Sequence, residues 1–189
     1  MAFESLALAR RAIELDPTDA VAQAISGLTK FSFEQDYTQG RLHALEAVRL
    51  NPNSAIAWGS LGHLDAMGGN PEAALEEFHR AMALSPYDSQ LGIWFAGLAA
   101  ACFGLGRHEE GIGWARKSIQ QNPGIGTPHR LLAAHLAALG RLDEAREVTA
   151  RRDAVQRTTL SELRAIALFR HRETMERYLA MQREIGVPE

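Results

Sequence analysis

Four prolines set the terms on which this chain can fold. Pro17, Pro52, Pro86 and Pro123 stand 35, 34 and 37 residues apart, each behind a polar or acidic residue: Asp16, Asn51, Ser85 and Asn122. An amphipathic run leads into every step, and residues 9–15, 44–50, 78–84 and 115–121 carry small or apolar side chains at helical spacing. Each run stops at the residue before proline, where the α conformation is disfavoured. A second punctuation falls in mid-period, at Gly68-Gly69-Asn70-Pro71, Gly104-Leu105-Gly106-Arg107 and Leu139-Gly140-Arg141. Glycine takes the left-handed turn that closes a helix, and the residues after it open the next one. Every period therefore reads as two helices joined by tight turns, with no alternating strand pattern between them. One such pair cannot bury its apolar face alone, so successive pairs must stack. The predicted fold is an all-α solenoid of antiparallel helix pairs.

Composition narrows the classes of function. The 189 residues are 46% hydrophobic and 23% charged, the balance of an ordinary globular protein. A net charge of −3 argues against a nucleic-acid module, which carries a basic surplus. Cys102 is the single cysteine, so nothing requires an oxidising compartment, and a cytoplasmic location is expected. Glu4 stands where a leader would carry a base, and Arg10 and Arg11 interrupt the apolar run. Residues 89–106 lack any charge and approach the roughly 18–20 apolar residues of a membrane span. They are rich in Gly and Ala and in phase with the repeat, so a helix buried between other helices is predicted there instead.

The clearest period runs from Ala55 to Asp88 and contains Trp58, Leu61-Gly62, Gly69, Ala74, Phe78, Ala81 and Pro86. In these types and spacings it resembles the tetratricopeptide repeat (TPR) family, with Asp65 departing where an aromatic is usual. Gly62, Ala74 and Ala81 fall where helices cross closely, Trp58, Leu61 and Phe78 where they fill the space between, and Pro86 ends the second helix. Other copies are more degenerate. Gly27, Tyr37, Gly40, Ala44, Ala47 and Pro52 match in one, with an extra residue around Glu34-Gln35-Asp36. Phe95, Leu98, Ala99, Gly106, Gly111, Ala115 and Pro123 match in the next, with extra residues around 87–91. Leu132, Ala133, Gly140 and Ala145 match in the last. A pentatricopeptide RNA reader has a similar period, but the signature and the acidic balance both point away from it.

The resemblance implies a right-handed superhelix of about 11 helices in a single domain: a half repeat over 1–18, repeats over 19–53, 54–87 and 88–124, a degenerate repeat over 125–156, and capping helices over 157–189. Thr158, Thr159 and Glu162 read as the N-cap region of a short helix, and Met175, Tyr178, Leu179 and Ile185 as the apolar stripe of a last one. The ending also resembles the tail of bacterial proteins that join such an array to a class III nucleotide-cyclase or winged-helix regulator. An array opening in mid-repeat leaves the face of Phe3, Leu6, Leu8 and Ile13 uncovered. Either a longer protein or a docked partner is expected there, and a homodimer through Phe3 and Leu6 is one such arrangement.

Signs of catalysis are sparse. The seven histidines are scattered, no metal-ligand spacing occurs, and neither Gly111-Ile112-Gly113 nor Gly124-Ile125-Gly126 follows a strand as a phosphate loop would. Cys102 has no adjacent base. Arg146, Arg151, Arg152 and Arg157 lie among Glu144, Glu147 and Asp153 at helical pairing distance, which reads as a solvated face. No enzyme, cofactor or metal is expected.

What the resemblance does imply is a concave surface lined by the first helix of each repeat. Its lining would be Ala24, Leu28 and Phe31; Ile56, Gly59, His63 and Met67; Ile93, Ala96, Ala100 and Phe103; then Thr127, Arg130 and Ala134. Only Arg130 is basic, so the carboxylate clamp of chaperone-binding relatives is absent. An apolar lining favours a peptide or protein partner, with Phe31, Met67 and Phe103 as anchors. The expected function is a protein–protein interaction scaffold within a bacterial regulatory protein. The alternative is a metabolite sensor with a pocket near His63, Asp65 and Trp94 that controls an attached cyclase or DNA-binding domain.

Overall fold

A computed structural model describes residues 2–153, 158–166 and 168–189, with side chains from residue 7 onward and without that of Asp153. Eleven helices occur among these residues and no strand. They are α1 (Ala2–Leu15), α2 (Ala20–Glu34), α3 (Tyr37–Leu50), α4 (Ala55–Gly68), α5 (Pro71–Leu84), α6 (Leu91–Gly104), α7 (His108–Gln121), α8 (Gly126–Ala138), α9 (Leu142–Asp153), α10 (Leu160–Ile166) and α11 (Arg172–Glu184). The stretch expected to be a buried helix is α6, and no described helix is long and apolar enough to cross a membrane.

The polar residue ahead of each proline has a definite task. The side-chain oxygens of Asp16, Asn51 and Asn122 accept the amide hydrogens of Thr18, Asn53 and Gly124, at 2.9, 3.0 and 3.2 Å. These Asx turns close the connections 16–19, 51–54 and 122–125 while proline blocks further helix. The connection 85–90 is longer than its counterparts and carries the exposed Tyr87. Caps mark the starts. Asp19 accepts from the amides of Val21 and Ala22, and Asp36 from that of Gln39. Thr159 and Glu162 form the reciprocal capping box of α10, at 2.8 and 3.1 Å. The mid-period turns hold Gly69, Gly106 and Gly140 at positive φ. In the second period Gln35 takes that place at φ 56°, which strains a residue with a Cβ.

The chain divides into two compact units. The first comprises residues 1–65 and 73–88. Its core is built on alanine, with Ala24, Ala47 and Ala57 in one cluster and Ala44, Leu61 and Leu64 in another. The α2–α3 crossing is tightest, because a Cβ on Gly27 would lie 2.7 Å from the Gly40 carbonyl oxygen, and the reverse contact is equally close. A Cβ on Gly62 would stand 3.2 Å from the fully buried Phe78 ring. Ala74 and Ala81 are likewise buried on α5, while Trp58 is half-buried and donates its indole N–H to the Pro52 carbonyl at 2.8 Å.

The second unit comprises residues 66–72 and 89–189, with one continuous core that runs from Ala99 to Val187. Helices α6 to α9 pack in succession, and α11 lies across α8 and against α10. The Ser118 hydroxyl donates to the Gly92 carbonyl at 2.6 Å, which ties α7 to α6. Gly111 leaves room for His135, whose ring would lie 2.2 Å from a Cβ there.

Two substitutions test this account with opposite signs. Gly27→Ala drives a methyl into a backbone carbonyl that cannot step aside, so it should cost about 1–3 kcal/mol in urea unfolding. Gln35→Gly relieves the left-handed strain and should raise stability by up to about 1 kcal/mol in the same measurement.

Candidate functional site

A module of stacked helix pairs can only recognise a partner with the helix faces that stacking leaves free. On α2 that face meets the expected line at Leu28 and departs from it at Ala24. Ala24 is fully buried between α3 and α4, against Ala47 and Ala57, and offers nothing to a partner. The stripe that reaches the surface is Val21, 41% exposed, and Ile25, 45% exposed, followed by half-buried Leu28. Their spacing of four and three residues puts them on one side of the helix. Phe31 is half-buried edge-on against Tyr37, with ring centroids 6.4 Å apart. On α4, Ile56 and His63 are half-buried and Gly59 is buried. The His63 ring meets Phe78 edge-on at 6.1 Å, and burial pushes its pKa down to about 4, so the imidazole is neutral at physiological pH.

Beneath this face lies a buried ionic knot. Asp65 has no exposed surface, and the Arg41 guanidinium grips it with two hydrogen bonds, Nε to Oδ1 at 2.6 Å and Nη2 to Oδ2 at 3.0 Å. The Tyr37 hydroxyl donates to Oδ1 at 3.1 Å. The departure from the repeat signature at Asp65 is thus a structural link from α4 to α3, and it leaves no carboxylate for the metabolite pocket expected there. Trp94, the third residue of that pocket, is 2% exposed within the second unit. Glu77, buried on α5, completes the knot. Burial first, and the neighbouring Asp65 carboxylate second, push its carboxyl well above the usual range. It is therefore held as the neutral acid.

In the second unit the expected line on α6 begins exposed and ends covered. Ile93 is open, Ala96 and Ala100 are buried, and Phe103 is only 2% exposed. Ala134 on α8 is fully buried, while Thr127 and Arg130 are half-buried. Phe103 is therefore no free anchor, and the physical reason is the C-terminal segment. Phe169 stacks on the Phe103 ring at 5.5 Å, and Tyr178 stands edge-on to it at 5.8 Å. The Arg170 amide donates to the Met67 carbonyl at 2.7 Å, Arg177 Nη2 to the Gly104 carbonyl at 3.1 Å, and Gln182 Nε2 to the Arg130 carbonyl at 2.9 Å. The Leu160 amide donates to the Pro188 carbonyl at 2.7 Å and fastens the chain's last residues to α10. Met67, Phe103 and Arg130, three residues expected to line a groove, are thus all engaged by the chain itself. The apolar stripe of α11 was legible as a cap; nothing local signalled which face it covers.

A pocket of about 350 Å³ remains beside this segment, lined by Met67, Pro71, Gly104, Phe169, His171 and Arg177 among others. On the other side of Phe103, His135 is fully buried and directs Nε2 to the Ala99 carbonyl at 3.0 Å. Its Nδ1 lies 3.1 Å from that of His108, and burial pushes the His135 pKa down to about 4. Burial likewise pushes the Cys102 thiol up to about 12, which keeps it neutral and unreactive. No group of three or more His, Cys, Asp or Glu side chains among the described residues could hold a metal ion. In the basic run, Arg146 and Arg151 pair with Asp143 and Glu147 at the surface. Arg152 departs from the expected solvated face, being buried near the Tyr178 hydroxyl. Arg157 lies outside the described residues, as do the side chains of Phe3 and Leu6, on which the expected dimer depends.

Glu77→Gln tests the neutral-acid assignment. Above pH 4.5 the folded chain keeps a proton that an unfolded carboxyl has lost, so wild-type stability declines as pH rises through that window. The stability of E77Q relative to wild type should therefore grow from about pH 5 to about pH 8 in urea unfolding, and a constant difference would refute it.

No protein-family model and no curated protein sequence matches the chain. Solved structures do. YrrB, described as a TPR protein with an unusual peptide-binding site, aligns over 94% of this chain and 90% of its own at 17% identity, with a TM-score of 0.59. The pilF protein of Pseudomonas aeruginosa aligns over 93% of this chain and 80% of its own at 19% identity and a TM-score of 0.67. MamA aligns over 78% of each chain at 21% identity and a TM-score of 0.58. Likeness at such low identity is likeness of fold, and the fold of this chain is that of the tetratricopeptide-repeat proteins.

Proposed function

We propose that the chain is a non-catalytic protein–protein interaction module that binds a peptide or protein through the first-helix faces of its repeats. The observation that carries this reading is the apolar stripe of exposed Val21 and Ile25, continued by half-buried Leu28, on a helix whose other sides are tightly packed. Large apolar side chains in a row on one helix face cost solubility, and a partner helix or strand that covers them repays that cost. The net charge of −3 favours protein over nucleic acid as partner. YrrB has the same fold and is described as having a peptide-binding site, which supports the same ligand class here. The ending, similar to tails that follow such arrays in bacterial regulators, supports a regulatory setting.

A photo-crosslinking residue tests the surface. Placed at Ile25 it should capture one discrete partner, whereas at Leu42, an exposed position on α3, it should capture none. Val21→Asp combined with Ile25→Asp should abolish that capture from a neighbouring probe position and leave the helical circular dichroism unchanged. Equal capture at both helices, or capture that survives the double substitution, would reject this face.

A further inference from the structure

The C-terminal segment does more than end the stack. It packs along α8 and reaches the last turn of α6, at Phe103 and Arg130 among the residues expected to line a groove, and it does so within one compact unit. Two aromatic side chains nine residues apart, Phe169 and Tyr178, enclose Phe103, and their own rings meet at 5.6 Å. Three of the polar contacts with this face share one pattern. Arg170, Arg177 and Gln182 donate to the main-chain carbonyls of Met67, Gly104 and Arg130. The first two carbonyls stand in the last turns of α4 and α6, where no further helical amide follows to satisfy them. Those acceptors are indifferent to the identity of the donor, so a different segment with amide and guanidinium donors at the same spacing satisfies them equally well.

The outer face of the segment favours release. Arg172, Glu173, Glu176, Arg177, Arg183 and Glu184 are exposed on α11, so the helix is amphipathic and stays soluble once lifted. The pocket of about 350 Å³ at its start, between Met67, Pro71, Gly104 and Phe169, is space on the same face that the segment leaves unfilled.

We propose that residues 168–189 are a built-in ligand of this unit, and that the face of α6 and α8 beneath them binds a partner segment of the same chemistry in their place. That segment is an amphipathic helix preceded by an aromatic residue, with a second aromatic about two and a half turns on. The proposal rests on the reading of the chain as an interaction module. It adds that this second face is self-occupied and answers only to partners that outcompete the tail.

Hydrogen exchange on the wild-type chain and a peptide titration test it. Amides of α11 should exchange at least about tenfold faster than those of α6 and α8, as a segment that opens on its own must. A fluorescein-labelled peptide of residues 168–189 should bind Phe169→Ala, whose own tail is weakened, at least about tenfold more tightly than wild type. Equal protection of α11, α6 and α8 would make the tail permanent core and overturn the proposal, whether or not the variant folds. A helical F169A that takes up no peptide would overturn it as well. Neither readout involves Val21 or Ile25, so failure here leaves the α2 face standing, and failure of the α2 face leaves this one.

Discussion

Close approach between paired helices is the constraint on which the rest of this molecule depends. At the α2–α3 crossing two glycines face one another so tightly that neither tolerates a methyl group. The surrounding clusters are largely alanine, and Phe78 fits only because Gly62 has no side chain. Such packing gives each helix pair a thin, rigid section. The sides of the helices that this packing leaves outward carry further large apolar side chains.

Those surfaces are treated in two ways. In the first unit Val21 and Ile25 remain open to solvent. In the second, the end of α6 at Phe103 is sealed by aromatic rings from the C-terminal segment, and the enclosed Phe103 also contacts His108 and His135 at 5.7 and 5.4 Å. Burying rings of this size contributes about 2–3 kcal/mol each, which alone falls well short of the about 1–2 kcal/mol per residue that ordering the segment costs. Its other buried side chains, Leu179, Ile185 and Val187 among them, supply the rest. The balance decides how firmly a terminal segment of this kind is held.

Much of the architecture could be read from the chain because its signals are local. Proline after Asp16, Asn51 and Asn122, and glycine at 69, 106 and 140, act on their own turns, so the alternation of helix and turn followed from spacing. Surface placement was harder. A helix turns about 100° per residue, so within one expected line on α2 Ala24 falls in the core while Leu28 and Phe31 stay half-buried. Phe103 was unreadable for another reason: its cover comes from Phe169 and Tyr178, more than sixty residues away, and no local pattern encodes that meeting. Arg152, set in a charged run, is buried for the same non-local cause.

The knot of Arg41, Tyr37, Asp65 and Glu77 has a consequence for how the first unit is assembled. Faces of alanine are smooth, and two smooth rods can slide past one another by a turn with little change in apolar contact. A bidentate ion pair has a single acceptable alignment, because any slippage strands a carboxylate in a dry interior. Helices α3, α4 and α5 are thereby pinned in phase by chemistry that the repeat itself does not supply, which makes this period the one that its neighbours cannot replace.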